Sequence, residues 1–197
     1  MSVETIPCSD EELVQRSAGR DRAAFDALVA RHGGALFRFA VRTCGSESDA
    51  ADALQEGLLA AWRGAATFRG EATARTWLFQ IVVHACRRRG RRRAGEPERH
   101  EPLEEAAALA GAGAEAVDER VADRQVGRAI ERALDAMPAD AREVLWLRDV
   151  EGLSGPEAAT ALDLDLAAMK SRLHRARLEL KARVEAVLGH PVEEIVQ

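Results

Sequence analysis

Two sets of side chains in this chain have the chemistry to meet nucleic acid, and both recur at helical spacing. Trp77, Gln80, His84, Arg87, Arg88 and Arg91 follow one another at intervals of one to four residues, so a helix over 74–93 gathers them on one stripe. An indole and an imidazole stack on unpaired bases, an amide both donates and accepts, and guanidiniums pair with phosphate. The second set is Ala168, Lys170, Ser171, Arg172, His174 and Arg175. Short side chains, a hydroxyl and an Arg on an outward face suit base edges, and flanking cations suit phosphates. A plainer reading stands beside each. Arg residues at a helix C-terminus are favoured by the dipole alone, a single Trp is more often core, and a basic amphipathic helix needs only solvent. A third set, Asp49, Asp52, Gln55 and Glu56, shares the outer side of a helical pattern. It is either a solvated acidic stripe or a dock for a basic partner.

These residues need elements to hold them. Residues 154–183 read as a helix-turn-helix. Ser154 with Glu157 has capping-box spacing, and Pro156 falls in a first turn. The turn is formed by residues 162–165, with Asp165 as the cap of the second helix. Leu166, Met169, Leu173, Ala176 and Leu180 form its inward side. Upstream, Ser9 and Glu12 open a short helix, and residues 22–44 form a long amphipathic one weakened by Gly33-Gly34. Gly45 ends it and Ser46 opens the next, whose apolar face is Ala51, Leu54, Leu58, Ala61 and Trp62. In the helix over 74–93, Leu78, Ile81, Val82 and Ala85 point inward. A helix through Val121, Val126, Ile130 and Leu134 ends at Met137-Pro138, and a single helix follows over 139–150.

Composition agrees with packed helices. The 197 residues are 47% hydrophobic but only 4% aromatic, and few windows alternate with period two, so the expected fold is all-α. The formal charge of −5 is unevenly sorted. From His84 to His100 there are seven Arg against two Glu, and from Glu101 to Asp123 seven acids against one Arg. Pro97, Pro102, Gly111 and Gly113 interrupt an Ala/Glu-rich segment that reads as a flexible acidic linker with a helical turn near 103–109. Three Cys, at 8, 44 and 86, form no CxxC pair. Their odd number and the lack of a leader suggest a reducing cytoplasm, and no apolar run is long enough to insert in a membrane. Neither a metal-ligand cluster, a nucleophile elbow nor a Gly-rich phosphate loop is present, so no cofactor, metal or catalytic chemistry is expected.

The order of these segments resembles the extracytoplasmic-function (ECF) subfamily of bacterial sigma-70-type sigma factors, over 9–93 and 119–186. DALQEGLLAAW at 52–62 is similar to the family's region-two polymerase-binding helix. FRGEATARTWLFQIVVHACRRRGRR at 68–92 is similar to its −10 recognition and melting segment. Residues 137–181 resemble region four, which reads the −35 element. The resemblance implies two helical domains: 1–93 for polymerase and −10 DNA, an acidic linker at 94–118, a region-four domain at 119–189, and a tail at 190–197. It places Asp49, Asp52, Gln55 and Glu56 against core RNA polymerase. It places Phe68, Arg69, Thr73, Trp77, Gln80, His84, Arg87, Arg88 and Arg91 on −10 DNA, and Ala168, Lys170, Ser171, Arg172, His174 and Arg175 on the −35 duplex. Arg172 or Arg175 then contacts guanine edges. It also implies promoter DNA and an anti-sigma factor as partners.

Departures from the family pattern concentrate at a few positions. His84 stands where Asn is common, Arg88 near a usual acid, Asp163 where the turn usually has Gly, Ala168 for a common Thr, and Gly57 for a larger residue. Gly57 is expected to weaken its helix slightly. The runner-up function is a stand-alone helix-turn-helix regulator, which leaves the stripe from 77 to 91 without a task. The acidic linker beside basic surfaces leads to the expectation that the isolated chain binds promoter DNA poorly.

Overall fold

The computed structural model describes residues 8–95 and 119–189, with side chains placed for 8–92 and 126–189. Every regular element among them is helical. The first half contains α1 (Asp10–Ala18), α2 (Arg22–Cys44), α3 (Glu47–Gly64), a single 3-10 turn (Ala65–Thr67) and α4 (Ala74–Gly95). The second contains α5 (Glu119–Asp135), α6 (Ala139–Leu145), a π-turn (Trp146–Val150), α7 (Gly155–Leu162) and α8 (Leu166–Leu188). Residues 94 and 95, expected in the linker, continue α4; the rest of the linker, the helical turn expected near 103–109 and the tail at 190–197 lie outside the described residues.

Local chemistry sets the helix starts. Ser9 accepts from the Glu12 amide at 3.1 Å while Glu12 accepts from the Ser9 amide at 2.9 Å, and Ser154 with Glu157 repeats the arrangement. Asp21, Ser46 and Asp165 cap α2, α3 and α8 through the amides of Ala24, Asp49 and Ala168. Thr73 caps α4, accepting from the Thr76 amide at 3.1 Å. Gly45 closes α2 in the left-handed region at φ 86°, and α2 runs through Gly33-Gly34 without a break.

Helices α2, α3 and α4 pack as a bundle, with α1 crossing α2. The buried row on α3 is Ala50, Ala53, Gly57 and Ala61, while Ala51 is exposed and Leu54, Leu58 and Trp62 are half-buried. Ala61 is buried as expected, but the rest of the expected face is turned partly outward: small residues bring two helix backbones close, and the larger ones line an apolar groove between α2 and α3. Gly57 belongs to that close approach. A Cβ there would meet Val82 Cγ2 at 3.2 Å, so the glycine expected to weaken α3 is what lets it seat on α4.

Helix α4 is covered on more sides than its inward stripe predicts. Phe79, Val83 and Cys86 are buried with Leu78, Val82 and Ala85, and Phe79 meets Phe39 edge-on at 5.7 Å. Cys44 and Cys86 form a disulfide linking the end of α2 to α4, with Cα atoms 5.1 Å apart. The odd cysteine count, read as fitting a reducing cytoplasm, did not anticipate this bond, which helix packing makes across 42 residues.

In the second half α5 packs on α8 through Ala129, Ala133 and Val184, leaving Ile130 partly exposed. The helix expected over 139–150 changes pitch at Trp146, whose carbonyl accepts from the Glu151 amide five residues on at 2.8 Å, and Val150 is exposed. Leu166, expected inward, is 40% exposed at the tip of α8, where Met169, Leu173 and Ala176 carry the contact. One apolar cluster continues from Leu13 through Phe79 to Ala176, because α7 lies on α4 and α6 lies near α2.

Candidate nucleic-acid interface

Phe68 and Trp77 form the aromatic end of the first surface. The 3-10 turn delivers Phe68, whose ring lies 5.2 Å from the Trp77 ring, and both are half-buried. Gly70 turns the loop at φ 72°, with Arg69 exposed before it. One, two and three turns beyond Trp77 stand Gln80, His84 and the pair Arg87 and Arg88, with Arg91 exposed near the end. The stripe exists as spaced, but α7 and the turn after it lie across its middle.

The contacts there are polar. Gln80 donates to Asp163 Oδ1 at 2.7 Å, and His84 Nε2 bonds Asp163 Oδ2. Arg87 donates to Glu143 Oε2 at 2.7 Å and to the Leu162 carbonyl at 3.2 Å. Arg75 donates to the carbonyl and carboxylate of Glu151 at 2.9 and 2.8 Å, and the Thr76 hydroxyl donates to Glu157 at 3.4 Å. Arg42 adds a pair with Glu131 at 3.2 Å and stacks over Trp146. Gln80, His84 and Arg87, expected to face outward, are thus engaged by the second half.

Ionisation follows the packing. Burial raises the Glu143 carboxyl above the usual range, against the hydrogen bond and charge of Arg87. Burial also raises Asp163, but the hydrogen bonds of His84 and Gln80 outweigh it and hold that carboxyl below the usual range. Sequence reading missed Glu143, Glu151 and Glu157 as partners of α4, and saw Asp163 only as a turn residue. The one local signal was Glu143 itself, a charge set among Val144, Leu145 and Leu147.

The acidic face of α3 is occupied from within. The Arg89 guanidinium reaches Asp52 at 2.8 Å, Glu56 at 3.0 Å and Asp49 at 3.6 Å, while Arg88 and Arg92 approach Glu56 at 3.8 and 3.6 Å. Gln55 is exposed and borders the apolar groove of Leu54, Leu58, Leu59 and Trp62.

The second surface is the helix-turn-helix. Asp163 holds its turn in the left-handed region at φ 54° and ψ 47°, a conformation Asp tolerates better than most residues. Helix α8 then presents Lys170, Ser171, His174 and Arg175 to solvent. Ala168 is half-buried, and Arg172 is turned aside, 3.7 Å from Asp140 of the preceding helices. Among the described residues, Arg175 bonds its own helix, through the Ser171 carbonyl at 3.4 Å.

The described residues thus carry two surfaces that suit nucleic acid, an aromatic-and-arginine helix in one half and a helix-turn-helix in the other. Comparison narrows this. The family model for Sigma-70 region 2 matches residues 28–96, and that for Sigma-70, region 4 matches 127–180. The ECF RNA polymerase sigma factor SigM of Mycobacterium tuberculosis is 37% identical over 92% of this chain and 86% of its own. The sigma factor CnrH of Cupriavidus metallidurans is 34% identical over 90% and 95%. Among solved structures, CnrH in complex with the cytosolic domain of CnrY is similar with a TM-score of 0.63 at 31% identity, covering 90% of this chain and 97% of that one. RpoE in complex with the anti-sigma factor NepR from Bartonella quintana gives 0.59 at 25% identity, covering 82% and 96%. The chain belongs to the ECF RNA polymerase sigma factors.

Proposed function

We propose that this sigma factor divides its promoter grip between its two halves as 1–93 and 119–189, joined by 94–118. Phe68, Arg69, Thr73, Trp77, Gln80, His84, Arg87, Arg88 and Arg91 hold the unpaired −10 strand. The Phe68–Trp77 pair flanks an extruded base, and stacking offsets the few kcal/mol that unstacking costs. Ala168, Lys170, Ser171, Arg172, His174 and Arg175 meet the −35 duplex, with Arg175 the better placed of the two Arg residues to reach guanine. Asp49, Asp52, Gln55 and Glu56 face core polymerase; Arg89 pre-arranges the acids. The observation that carries this reading is the pairing of an aromatic-and-arginine helix with a separate helix-turn-helix whose outer face is exposed.

The chain acts in the cytoplasm beside polymerase; no described helix is long and apolar enough to cross a membrane. The solved relatives in complex with CnrY and NepR support an anti-sigma partner for this chain too. Reconstitution with core polymerase and promoter templates selected from genomic fragments tests the assignment. The wild-type chain should yield promoter-dependent transcripts, Trp77→Ala should lose open complexes while keeping −35 duplex binding, and equal loss of both would overturn the division of labour.

A further inference from the structure

We propose that Asp163 is an internal occupant of the −10 surface: in the closed chain its carboxylate takes the Gln80 amide and His84 imidazole that the promoter strand would otherwise use. The inference rests on the assignment of the α4 stripe to −10 DNA and adds how that surface is kept from it.

His84 and Asp163 are partners across the two halves of the chain. They lie 79 positions apart in sequence, and nothing local joins them. Asp163 sits where the chain needs a positive φ, a place at which glycine costs least. Carrying a carboxylate there has a use, since both of its oxygens are engaged by α4: Oδ1 by Gln80 and Oδ2 by His84. The group is anionic like a phosphate, and its partners are an amide and an imidazole, which suit nucleic acid equally well. Its carboxyl, held below the usual range, is charged at neutral pH.

Asp163 does not act alone. Glu143, Glu151 and Glu157 come from the same half and meet Arg87, Arg75 and Thr76 along the same helix. Four acids thus face one side of α4. Meanwhile Lys170, Ser171, His174 and Arg175, on the far side of the helix-turn-helix, stay exposed. Closure therefore treats the two surfaces unequally: the −35 face remains open while the −10 face is occupied. Asp163 belongs to the turn that starts α8, so departure of the helix-turn-helix from α4 takes this contact with it.

The test uses the full chain without polymerase. Wild type, Asp163→Gly, Asp163→Asn and a charge control on α2, Asp26→Asn, are compared for the radius of gyration by small-angle scattering. Their affinity for a fluorescein-labelled random-sequence single-stranded 20-mer is read by anisotropy at one salt concentration. Both Asp163 variants should expand and bind at least roughly fivefold tighter, and Asp26→Asn should do neither. Glycine accepts the turn's φ and asparagine tolerates it, so neither variant strains the fold. Unchanged radius and affinity in both Asp163 variants would overturn the proposal, as would an equal gain in Asp26→Asn. Adding Gln80→Ala and His84→Ala to Asp163→Gly separates the two layers. Loss of the gained affinity with retained expansion supports both; retained affinity with expansion keeps the internal contact but removes α4 as the strand-binding surface.

Discussion

Arg87 donates to Glu143 across the two halves of the chain at 2.7 Å, and the acid it meets is 3% exposed while Arg87 itself is 28% exposed. The pair is unequal: one member can rehydrate and the other cannot. Arg87→Ala should therefore cost about 1–3 kcal/mol, most of it the penalty of an unpaired buried carboxylate. The sign with pH follows from Glu143. Its folded pKa is raised by burial above the ordinary value of about 4.3, so its contribution is fullest below that value and is lost as pH rises toward the folded pKa. Removing Arg87 raises it further. Urea unfolding should show a larger loss at pH 7.5 than at pH 5; equal losses would contradict the account.

The Cys44–Cys86 bond closes a loop of 42 residues, for which chain entropy alone gives roughly 4 kcal/mol. Chain refolded with a phosphine reductant should unfold at lower urea than chain refolded under air. The double variant Cys44→Ser/Cys86→Ser should show no such dependence. A reductant effect that survives in the double variant would assign it to Cys8 or to intermolecular pairing.

Gly57 offers a test of the α3–α4 contact. Gly57→Val should destabilise by about 1–3 kcal/mol, since its branched side chain must displace Val82. Gly57→Ala should lie within about 1 kcal/mol of wild type, because improved helix propensity offsets a tight Cβ. Thermal unfolding of both variants decides it, and a stable Gly57→Val would show that α3 can move.

Helix α8 separates two Arg residues that look equivalent in sequence. Arg175→Ala should lose roughly 1–3 kcal/mol of discrimination at one base pair of a duplex chosen by binding-site selection. Arg172→Ala, which loses its approach to Asp140, should shift stability and leave base preference largely intact. Selection repeated with each variant reads both effects, and relaxed preference in Arg172→Ala alone would reverse the roles.

What was legible in the sequence was what neighbours determine. Capping boxes at Ser9 and Ser154, the Asp165 cap and the ends of α2 depend on residues within four positions, and each appears as spaced. The face of α3 was misread because Ala and Gly carry little apolar weight in a periodicity, although they permit the closest packing. Phe79, Val83 and Cys86 were not placed in the core because α4 is covered from both sides, which no single stripe reveals. The candidate DNA surfaces were legible as residue sets. Their unequal exposure was not, since Glu143 and Asp163 meet α4 from 56 to 83 positions away.

The π-turn at 146–150 has a bearing on how this chain tolerates changes in length. A widened turn holds one residue more than an α-helical turn, in the manner of an insertion absorbed without breaking the helix. The residue count there sets the phase at which Glu151 leaves the helix toward Arg75 and Trp146. A one-residue deletion in this segment would convert the widened turn to an ordinary α-turn, and the side chains on either side would keep their faces. A chain one residue shorter here would thus keep its faces on both sides and change only how Glu151 departs toward Arg75 and Trp146.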